Sequence, residues 1–329
     1  MITRPLLAIA ILLAVACPIL ASARHAPSLL PGMPREVVSI RCDRLTAAEY
    51  DALAAEWRAY AEAHPRSGVA QVELGRTLRY AGAPADEVRA HFARALELDP
   101  RCPEALDAAA STFLGEWEPL ADGAAGCYAL GQRAVELAPD WAEPHFTLAP
   151  LAMVLGLYEE AQAHMAALIA KGGIPAPVLD YCYNMLVGAA PDAIIFTNGD
   201  NDTYGCHALQ AARGLRPDVH VLNLSLLNQP QIETTLFARF GDRSPLSADE
   251  RARLRDEFMA NYVHDHKLYS TKVVEALAGK LAAGEWKGPV YLALTVAPWV
   301  VESCPLPRRL EGMLWRLVAE DGEAGDAGT

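Results

Sequence analysis

The chain has 329 residues, with 28 lysines and arginines against 41 aspartates and glutamates, so its formal net charge is −13 at pH 7. An acidic chain without basic runs argues against a nucleic-acid partner, because phosphate binding needs clustered lysine and arginine. The composition is 52% hydrophobic but only 7% aromatic, which argues against general disorder and favours packed helices, and the length is that of about two domains.

The first 23 residues have the pattern of a secretory signal. Arg4 is followed by an uncharged apolar stretch that ends in small residues at Ala23, and this pattern predicts cleavage there. The expected location is therefore the periplasm or cell envelope. Two alternatives stay open: a lipoprotein modified at Cys17, or an uncleaved anchor, since the stretch approaches the roughly 20 apolar residues that span a bilayer. Membrane attachment is expected only by one of these routes.

Seven cysteines are spread along the chain without zinc-finger spacing. Removal of Cys17 with the signal leaves six, an even number that is compatible with disulfides in an oxidising compartment. Small buried thiols are the alternative interpretation. The connectivity of any disulfides is not readable from the sequence.

Residues 66 to 175 carry an internal repeat. The most regular unit begins at Pro139, turns at Gly156, and has small or apolar residues at the helix-packing positions Leu148, Ala149, Ala161 and Leu168. An earlier copy contains Leu74, Leu78, Phe92 and Ala95, and a degenerate copy contains Ala134 and Leu137. The pattern resembles the tetratricopeptide repeat, whose period is about 34 residues.

This resemblance implies a helical-repeat domain, which we place at residues 43–175. We expect a leading helix from Tyr50 to His64 and a short insertion near Trp117–Gly126. Stacked helix pairs form concave surfaces, so the expected partner is a protein or peptide bound by the repeats. The alternative is that the repeats only support the second domain. Three histidines of this region, His91, His145 and His164, lack paired ligands and are interpreted as surface or core residues.

After Pro191 the pattern changes to alternating strands and helices. The apolar run Ala193–Phe196 predicts a buried strand, a helix follows from Tyr204 to Leu215, and Val219–Leu227 predicts a second strand. Together they predict a parallel βαβ unit. The later predicted elements are helices at Ser247–Val263 and Ser270–Ala283 and strands at Pro289–Val296 and Leu310–Val318.

The predicted fold is therefore α + α/β. Tetratricopeptide-like helical repeats are followed by a small Rossmann-like domain with a mainly parallel sheet, which we place at residues 190–318. The acidic, glycine-rich tail at residues 319–329 is expected to be disordered.

The loop after the first strand holds the most unusual residues of the chain. It reads Thr-Asn-Gly-Asp-Asn-Asp-Thr over residues 197–203, at the carboxyl end of a strand, where open α/β sheets bind ligands. The candidate ligand-binding residues are Asn198, Asp200, Asn201, Asp202 and Thr203, with Asn223 and Asn228 from the second strand and the turn after it.

These residue types suit two kinds of ligand. Carboxylate and amide oxygens at this spacing suit a divalent cation, with Asp200 and Asp202 as candidate metal ligands, or the hydroxyls of a sugar. A nucleotide is not expected, because the loop has no lysine or arginine and lacks the P-loop pattern. The alternative is that these side chains cap the helix and hydrogen-bond within a tight loop.

Several strings of this region occur together in one known family. They are Phe196–Tyr204, Arg216–Val219, Leu222–Asn228, Trp286–Val296 and Leu310–Val318. They resemble, over about residues 190–318, the soluble C-terminal region of a bacterial membrane-protein family that is itself similar to protein O-mannosyltransferases.

That family carries glycosyl transfer in a membrane-spanning module upstream, where this chain has a signal and helical repeats. The resemblance therefore implies the soluble domain and not the transferase chemistry, with Asp200, Asn201 and Asp202 as its most characteristic positions. The residues Gly205–His207 depart from the apolar and aromatic residues that the family has there.

Other enzyme signals are weak. Ser225 and Ser303 lack the nucleophile-elbow pattern, and the pair His264 and His266 is expected on a helix, where residues two apart do not share a face. The residues favour an exported, non-catalytic helical-repeat scaffold with an α/β binding domain, acting in an envelope or glycan-related assembly. The alternative is a metal-assisted enzyme or a sugar-binding protein that uses the loop at residues 197–203.

Overall fold

The computed structural model of the chain describes residues 32–37, 39, 44–114, 123–261 and 268–319. The predicted signal with Cys17, most of the predicted insertion, the pair His264 and His266, and the tail from residue 320 lie outside the described residues.

Within the described residues the chain forms thirteen α-helices and five β-strands. The helices are α1 (Ala47–Ala63), α2 (Gly68–Ala81), α3 (Ala85–Leu98), α4 (Pro103–Ala110), α5 (Gly123–Leu137), α6 (Glu143–Val154), α7 (Tyr158–Ala170), α8 (Ala176–Gly188), α9 (Asp200–Arg213), α10 (Pro230–Ala238), α11 (Ala248–Asn261), α12 (Tyr269–Ala282) and α13 (Pro298–Ser303). The strands are β1 (Ile194–Thr197), β2 (His220–Asn223), β3 (Val290–Ala293), β4 (Arg308–Glu311) and β5 (Leu314–Leu317).

The leading helix, α1, confirms the prediction for Tyr50 to His64. Thr46 and Glu49 cap its start reciprocally: the Thr46 hydroxyl accepts the Glu49 N–H at 3.3 Å, and the Glu49 carboxylate accepts the Thr46 N–H at 2.8 Å. The helix ends before His64 and Pro65, because proline cannot continue the hydrogen-bond ladder. Its Trp57 is fully buried among the first helices.

The predicted helical repeats are present. Consecutive helices pack against each other from α1 to α3 and from α4 to α7. In the most regular unit Leu148, Ala149, Ala161 and Leu168 are all fully buried. Gly156 turns the chain between α6 and α7 with φ of 74°, a left-handed conformation that glycine adopts without steric cost.

The sheet is mixed, and the prediction of a mainly parallel sheet was wrong. Its strand order is β2-β1-β3-β5-β4. β1 pairs in parallel with β2 and β3, whereas β5 pairs antiparallel with both β3 and β4. The single strand predicted at Leu310–Val318 was also wrong: it covers the end of β4, the turn and β5, because Gly312 has φ of 59° and reverses the chain between the two strands.

Other boundaries also differ from the prediction. The helix predicted from Tyr204 begins four residues earlier, at Asp200, since the polar loop residues form its first turn. The second strand ends at Asn223 and the chain then turns into a short 3₁₀ helix, Leu226–Asn228. Helices α8, α10 and α13 were not predicted. Each has proline in its first turn, where proline is compatible with a helix, although in a sequence it usually indicates a helix end.

Two hydrophobic clusters organise the described residues. The smaller one joins α1 to α4. The larger one surrounds the sheet and continues into α5, α6, α7 and α8, and α9 packs directly on α7 and α8. Apolar packing is thus continuous across residues 176–189. The predicted domains, residues 43–175 and 190–318, leave this stretch unassigned. That division stays a prediction.

No helix in the described ranges has both the length and the apolar character needed to cross a bilayer.

The contact between α2 and α3 depends on the absence of a side chain at Gly75. A Cβ atom there would lie 2.6 Å from the ring of Phe92, which is itself buried. We expect Gly75→Ala to lower the free energy of unfolding by about 1–3 kcal/mol through overpacking. The matched control is Gly279→Ala in α12, where a Cβ atom meets open space and alanine should stabilise by roughly 0.5–1 kcal/mol. Urea denaturation of both variants measures the change in the free energy of unfolding. A change of the same sign and size in both variants would contradict the close contact of Gly75 with Phe92.

Candidate functional site

Asp202 lies in the first turn of α9, and its carboxylate holds the chain segment between β1 and α9. It is 4% exposed, and its carboxylate accepts the backbone N–H groups of Asn198 at 2.8 Å and Gly199 at 2.9 Å. It also accepts the hydroxyl of Thr295 from the loop after β3. The carboxylate therefore accepts hydrogen bonds from N–H groups of the preceding turn and joins that turn to a second loop. For Asp202 this agrees with the alternative in which the side chains hydrogen-bond within a tight loop.

Thr203 and Asn223 extend this network across the strand ends. The Thr203 hydroxyl donates to the carbonyl of Gly199 at 2.6 Å and lies 2.7 Å from the hydroxyl of Thr197. The Asn223 amide donates to Gly199 O at 3.1 Å and Thr203 Oγ1 at 2.7 Å, and its oxygen accepts the N–H of Leu226. Three elements, β1, α9 and β2, are thus held together by buried hydrogen bonds.

The remaining candidates differ in exposure. Asn228 is engaged internally, because its amide donates to Leu224 O at 3.0 Å and its oxygen accepts the N–H of Ser270 at 3.1 Å. Asn198, Asp200 and Asn201 are exposed. The structure therefore does not bring the seven candidates together as one open site, and ligand binding by the exposed three stays a prediction.

The residues that depart from the family pattern, Gly205 to His207, face the interior. A Cβ atom at Gly205 would lie 2.5 Å from Sγ of Cys182, so glycine permits the close approach of α8 and α9. Cys206 and His207 are buried, and burial lowers the pKa of His207 to about 3. These positions serve helix packing rather than surface recognition.

Arg216 joins the connection between α9 and β2 to the end of α8 by hydrogen bonds. Its guanidinium donates to the carbonyls of Leu186 and Ala189 at 2.9 and 2.8 Å and forms two hydrogen bonds with the carboxylate of Asp218. The Arg216 hydrogen bonds lower the pKa of Asp218 to about 2. The Arg-Pro-Asp string of the family resemblance therefore has a structural role in this chain.

A large cavity opens between the helical repeats and the α/β part of the chain. Its volume is about 570 Å³. One wall comes from the repeats and includes Arg76, Arg79, Trp141 and Glu143. The other comes from the α/β part and consists of Asp200, Tyr204, Ser225, Leu226, Gln229 and Ile232. We call this cavity the cleft. Asp200 is the one predicted site residue that lines it.

Direct contacts hold the two walls of the cleft together. The ring of Phe146 on α6 meets the ring of Tyr204 on α9 edge to face, with centroids 5.3 Å apart. The hydroxyl of Thr235 on α10 donates to the carbonyl of Met153 at 2.8 Å. The cleft is thus bounded by parts of the chain that are packed on each other.

The repeat wall carries buried charge. Arg76 donates to the carboxylate of Glu73 at 3.2 Å, and Glu73 also accepts the N–H of Val37 at 2.8 Å. Arg79 donates to the hydroxyl of Ser111 at 2.9 Å. Burial raises the pKa of Glu73, which Arg76 opposes. These hydrogen bonds fix the direction of both arginines on α2.

Sequence reasoning missed the repeat wall. The available signal was the presence of arginines at positions 76 and 79, and of Trp141 and Glu143 at the start of the most regular repeat unit. These are charged and aromatic residues in a region whose helices otherwise pack through small and apolar side chains. Such residues on the concave side of a helical repeat are typical of a binding surface.

The histidines and cysteines that the structure describes are the remaining candidate groups. Among the residues that the structure describes, no group of three or more His, Cys, Asp or Glu is arranged to hold a metal ion. His145 and His164 face each other with Nδ1 atoms 3.0 Å apart, and His91 meets Oε1 of Gln71 at 2.8 Å. The five described cysteines are buried thiols.

The comparisons with known proteins concern parts of this architecture. Residues 178–233 match the family model of the TMEM260-associated domain 2; this stretch runs from α8 to the middle of α10 and includes one wall of the cleft. Among solved structures, the chain is similar to the crystal structure of MamA, with 14% identity, 63% of this chain and 98% of that chain covered, and a TM-score of 0.33. No curated protein matches the chain.

The two aspartates of the loop should behave differently when removed. Asp202→Ala leaves the N–H groups of Asn198 and Gly199 without their acceptor, and we expect a loss of about 2–4 kcal/mol of unfolding free energy. Asp200→Ala removes an exposed first-turn carboxylate and should cost less than about 1 kcal/mol. Thermal and urea unfolding measure both. A larger loss for Asp200→Ala would contradict the structural role of Asp202.

Proposed function

We propose that the protein is an exported, non-catalytic scaffold that binds a segment of a partner protein in the cleft, and that it serves an envelope or glycan-related assembly. The observation that carries the proposal is the cleft itself, a cavity of about 570 Å³ between the repeats and the α/β part of the chain. Ligand sites in proteins occupy roughly 300–1,000 Å³ and favour boundaries between structural units.

The lining of the cleft supports a peptide as the occupant. It combines aromatic rings, such as Tyr80 and Trp141, with side chains of both charges and with the polar residues Ser225 and Gln229. Such a lining offers contacts to side chains and to backbone amides along an extended segment. Binding by stacked helices through their concave face is the general use of helical repeats.

The contacts of the loop at residues 197–203 support a non-catalytic role. A general base or metal ligand needs a carboxylate that is directed at the substrate. The carboxylate of Asp202 instead accepts hydrogen bonds from its own turn and from Thr295. The acceptor capacity of the buried carboxylate is thus used within the fold.

Export and the link to glycan-related assembly rest on the sequence. The N-terminal pattern ending at Ala23 supports export, and the family resemblance of residues 190–318 supports an assembly related to glycosylation. Both are part of the proposal, together with the alternatives of a lipid anchor at Cys17 or an uncleaved signal.

Peptide binding in the cleft is tested by selection from a random peptide library on the purified full-length chain. Ser225 is exposed on the α/β wall, so Ser225→Trp adds bulk to the cleft, whereas Ser225→Ala adds none. We expect selected peptides to bind the wild type and Ser225→Ala alike and to bind Ser225→Trp at least about 10-fold more weakly, a difference of about 1.4 kcal/mol. Failure to enrich any peptide, or equal binding by Ser225→Trp, would refute the proposed site.

Export is tested on the chain expressed in a bacterial host and recovered from the envelope fraction. The expected mature protein begins at Arg24, as read by N-terminal sequencing and intact mass. A mature chain that begins at a lipid-modified Cys17 would support the lipoprotein alternative instead of cleavage after Ala23. An unprocessed chain confined to the cytoplasm would contradict export.

A further inference from the structure

Two buried cysteines meet where α8 packs on α9. Cys182 lies near the middle of α8 and Cys206 near the middle of α9, and both side chains are fully buried. Sγ of Cys182 lies 3.3 Å from the carbonyl oxygen of Asn201 and 3.8 Å from that of Asp202, both in α9. Sγ of Cys206 lies 3.9 Å from the carbonyl oxygen of Cys182 itself. Each sulfur therefore contacts the backbone of the opposite helix.

The small size of Gly205 brings the two helices to the separation that a disulfide needs. A Cβ atom at Gly205 would lie 3.2 Å from Cβ of Cys182, and the Cβ atoms of a disulfide are about 3.5–4.5 Å apart. Cys206 is the next residue of α9, and helical side chains lean toward the N-terminus of their helix. The side chain of Cys206 thus leans toward the turn of Asp202, whose carbonyl Cys182 already contacts.

The position of the pair gives a bond between these cysteines a mechanical effect. Both cysteines belong to the larger hydrophobic cluster, which joins the last repeat helices to the sheet. Helix α9 also carries Asp200 and Tyr204, which line the cleft. A covalent bond between α8 and α9 would therefore fix the helix that supplies part of the α/β wall.

The interior position makes the folded pair slow to react. Burial raises the pKa of the Cys206 thiol well above its ordinary value, and the neighbouring Cys182 thiol raises it further. The thiolate is the reactive form of cysteine, so Cys206 is protected while α8 stays packed on α9. A reaction with an oxidant therefore takes place before the two helices pack, or when they separate by local unfolding.

We propose that Cys182 and Cys206 form a disulfide that fastens α8 to α9 when the chain folds in the presence of a disulfide oxidant, such as an oxidised thiol-exchange protein or oxidised glutathione. One cysteine thiolate attacks a sulfur of the oxidant, which forms a mixed disulfide and releases one thiol. The second cysteine thiolate then attacks the mixed disulfide and releases the other thiol. The S–S bond of the oxidant is thus reduced to two thiols, which take up the two protons and two electrons that the cysteines lose.

The bond is tested by refolding the full-length chain from urea in a glutathione redox buffer. The remaining thiols are then alkylated in denaturant, intact mass counts them, and peptide mapping without reductant identifies the joined peptides. We expect the peptide that contains Cys182 to be joined to the peptide that contains Cys206, and the link to disappear on reduction.

Thermal unfolding tests whether the bond fits the native packing. The bond closes a loop of about 25 residues, and restriction of the unfolded chain should raise the Tm of the oxidised chain by at least about 5 °C over that of the reduced chain. Cys182→Ala and Cys206→Ala should each remove both the link and the Tm difference. The matched control is Cys304→Ala, a buried thiol that follows α13, and it should keep both. Circular dichroism under reducing conditions checks that the three variants fold.

The rate of oxidation tests the protected position of the pair. The same redox buffer applied to the folded chain should form the bond at least about 10-fold more slowly than it does during refolding, because the buried thiols are not available as thiolates. Equal rates would contradict the protection of Cys206 by the packing of α8 on α9.

Three outcomes would overturn the proposal. The first is that both thiols remain free after refolding in the oxidising buffer. The second is that Cys182 or Cys206 is joined to a different cysteine, such as Cys42. The third is that the link forms but leaves the Tm unchanged or lowers it, since the bond would then not fit the packing of the folded chain. Failure of peptide binding in the cleft changes none of these readouts, so this proposal and the proposed function can fail separately.

Discussion

The buried carboxylate of Asp202 is the constraint on which the α/β side of the cleft depends. By accepting the N–H groups of Asn198 and Gly199 it sets where α9 begins, and by accepting the Thr295 hydroxyl it holds that turn against the loop after β3. Asp200, two residues earlier, is thereby placed at the cleft. The network of Thr203 and Asn223 then fixes the chain after β2, which leads into residues 225–232. Among the unusual residues of the loop, Asp202 and Thr203 thus hold the structure in place, whereas Asp200 lines the cleft itself.

Elements that depend on residues close together in the sequence were predicted. The spacing of small and apolar residues such as Leu148, Ala161 and Leu168 identified the repeats, and these residues are buried; a short apolar run identified β1. The hairpin of β4 and β5 was missed because a single glycine in a left-handed conformation, Gly312, reverses an otherwise continuous strand pattern. The cleft was missed for a different reason: Arg76 and Asp200 are far apart in the chain, and contacts of α6 with α9 and α10 bring their surroundings together.

The unusual loop also shows why residue types alone do not decide function. Carboxylates and amides suit a metal ion, a sugar or a tight turn equally well, and the choice depends on which donors lie within hydrogen-bond distance. For Asp202 those donors belong to the protein itself. For Asp200 the neighbouring space is a cavity shared with the repeats. The matched segment of the TMEM260-associated domain 2, residues 178–233, therefore contains both the structural turn and the α/β wall of the cleft.

The central claim is that one ligand contacts both walls of the cleft at once. Hydrogen–deuterium exchange of the full-length chain, with and without a peptide selected from the library, tests it directly. The account predicts slower exchange in α2 and, at the same peptide concentration, in residues 225–232, with the outer strand β4 unchanged. Protection confined to one wall, or protection at β4 with both walls unchanged, would contradict it.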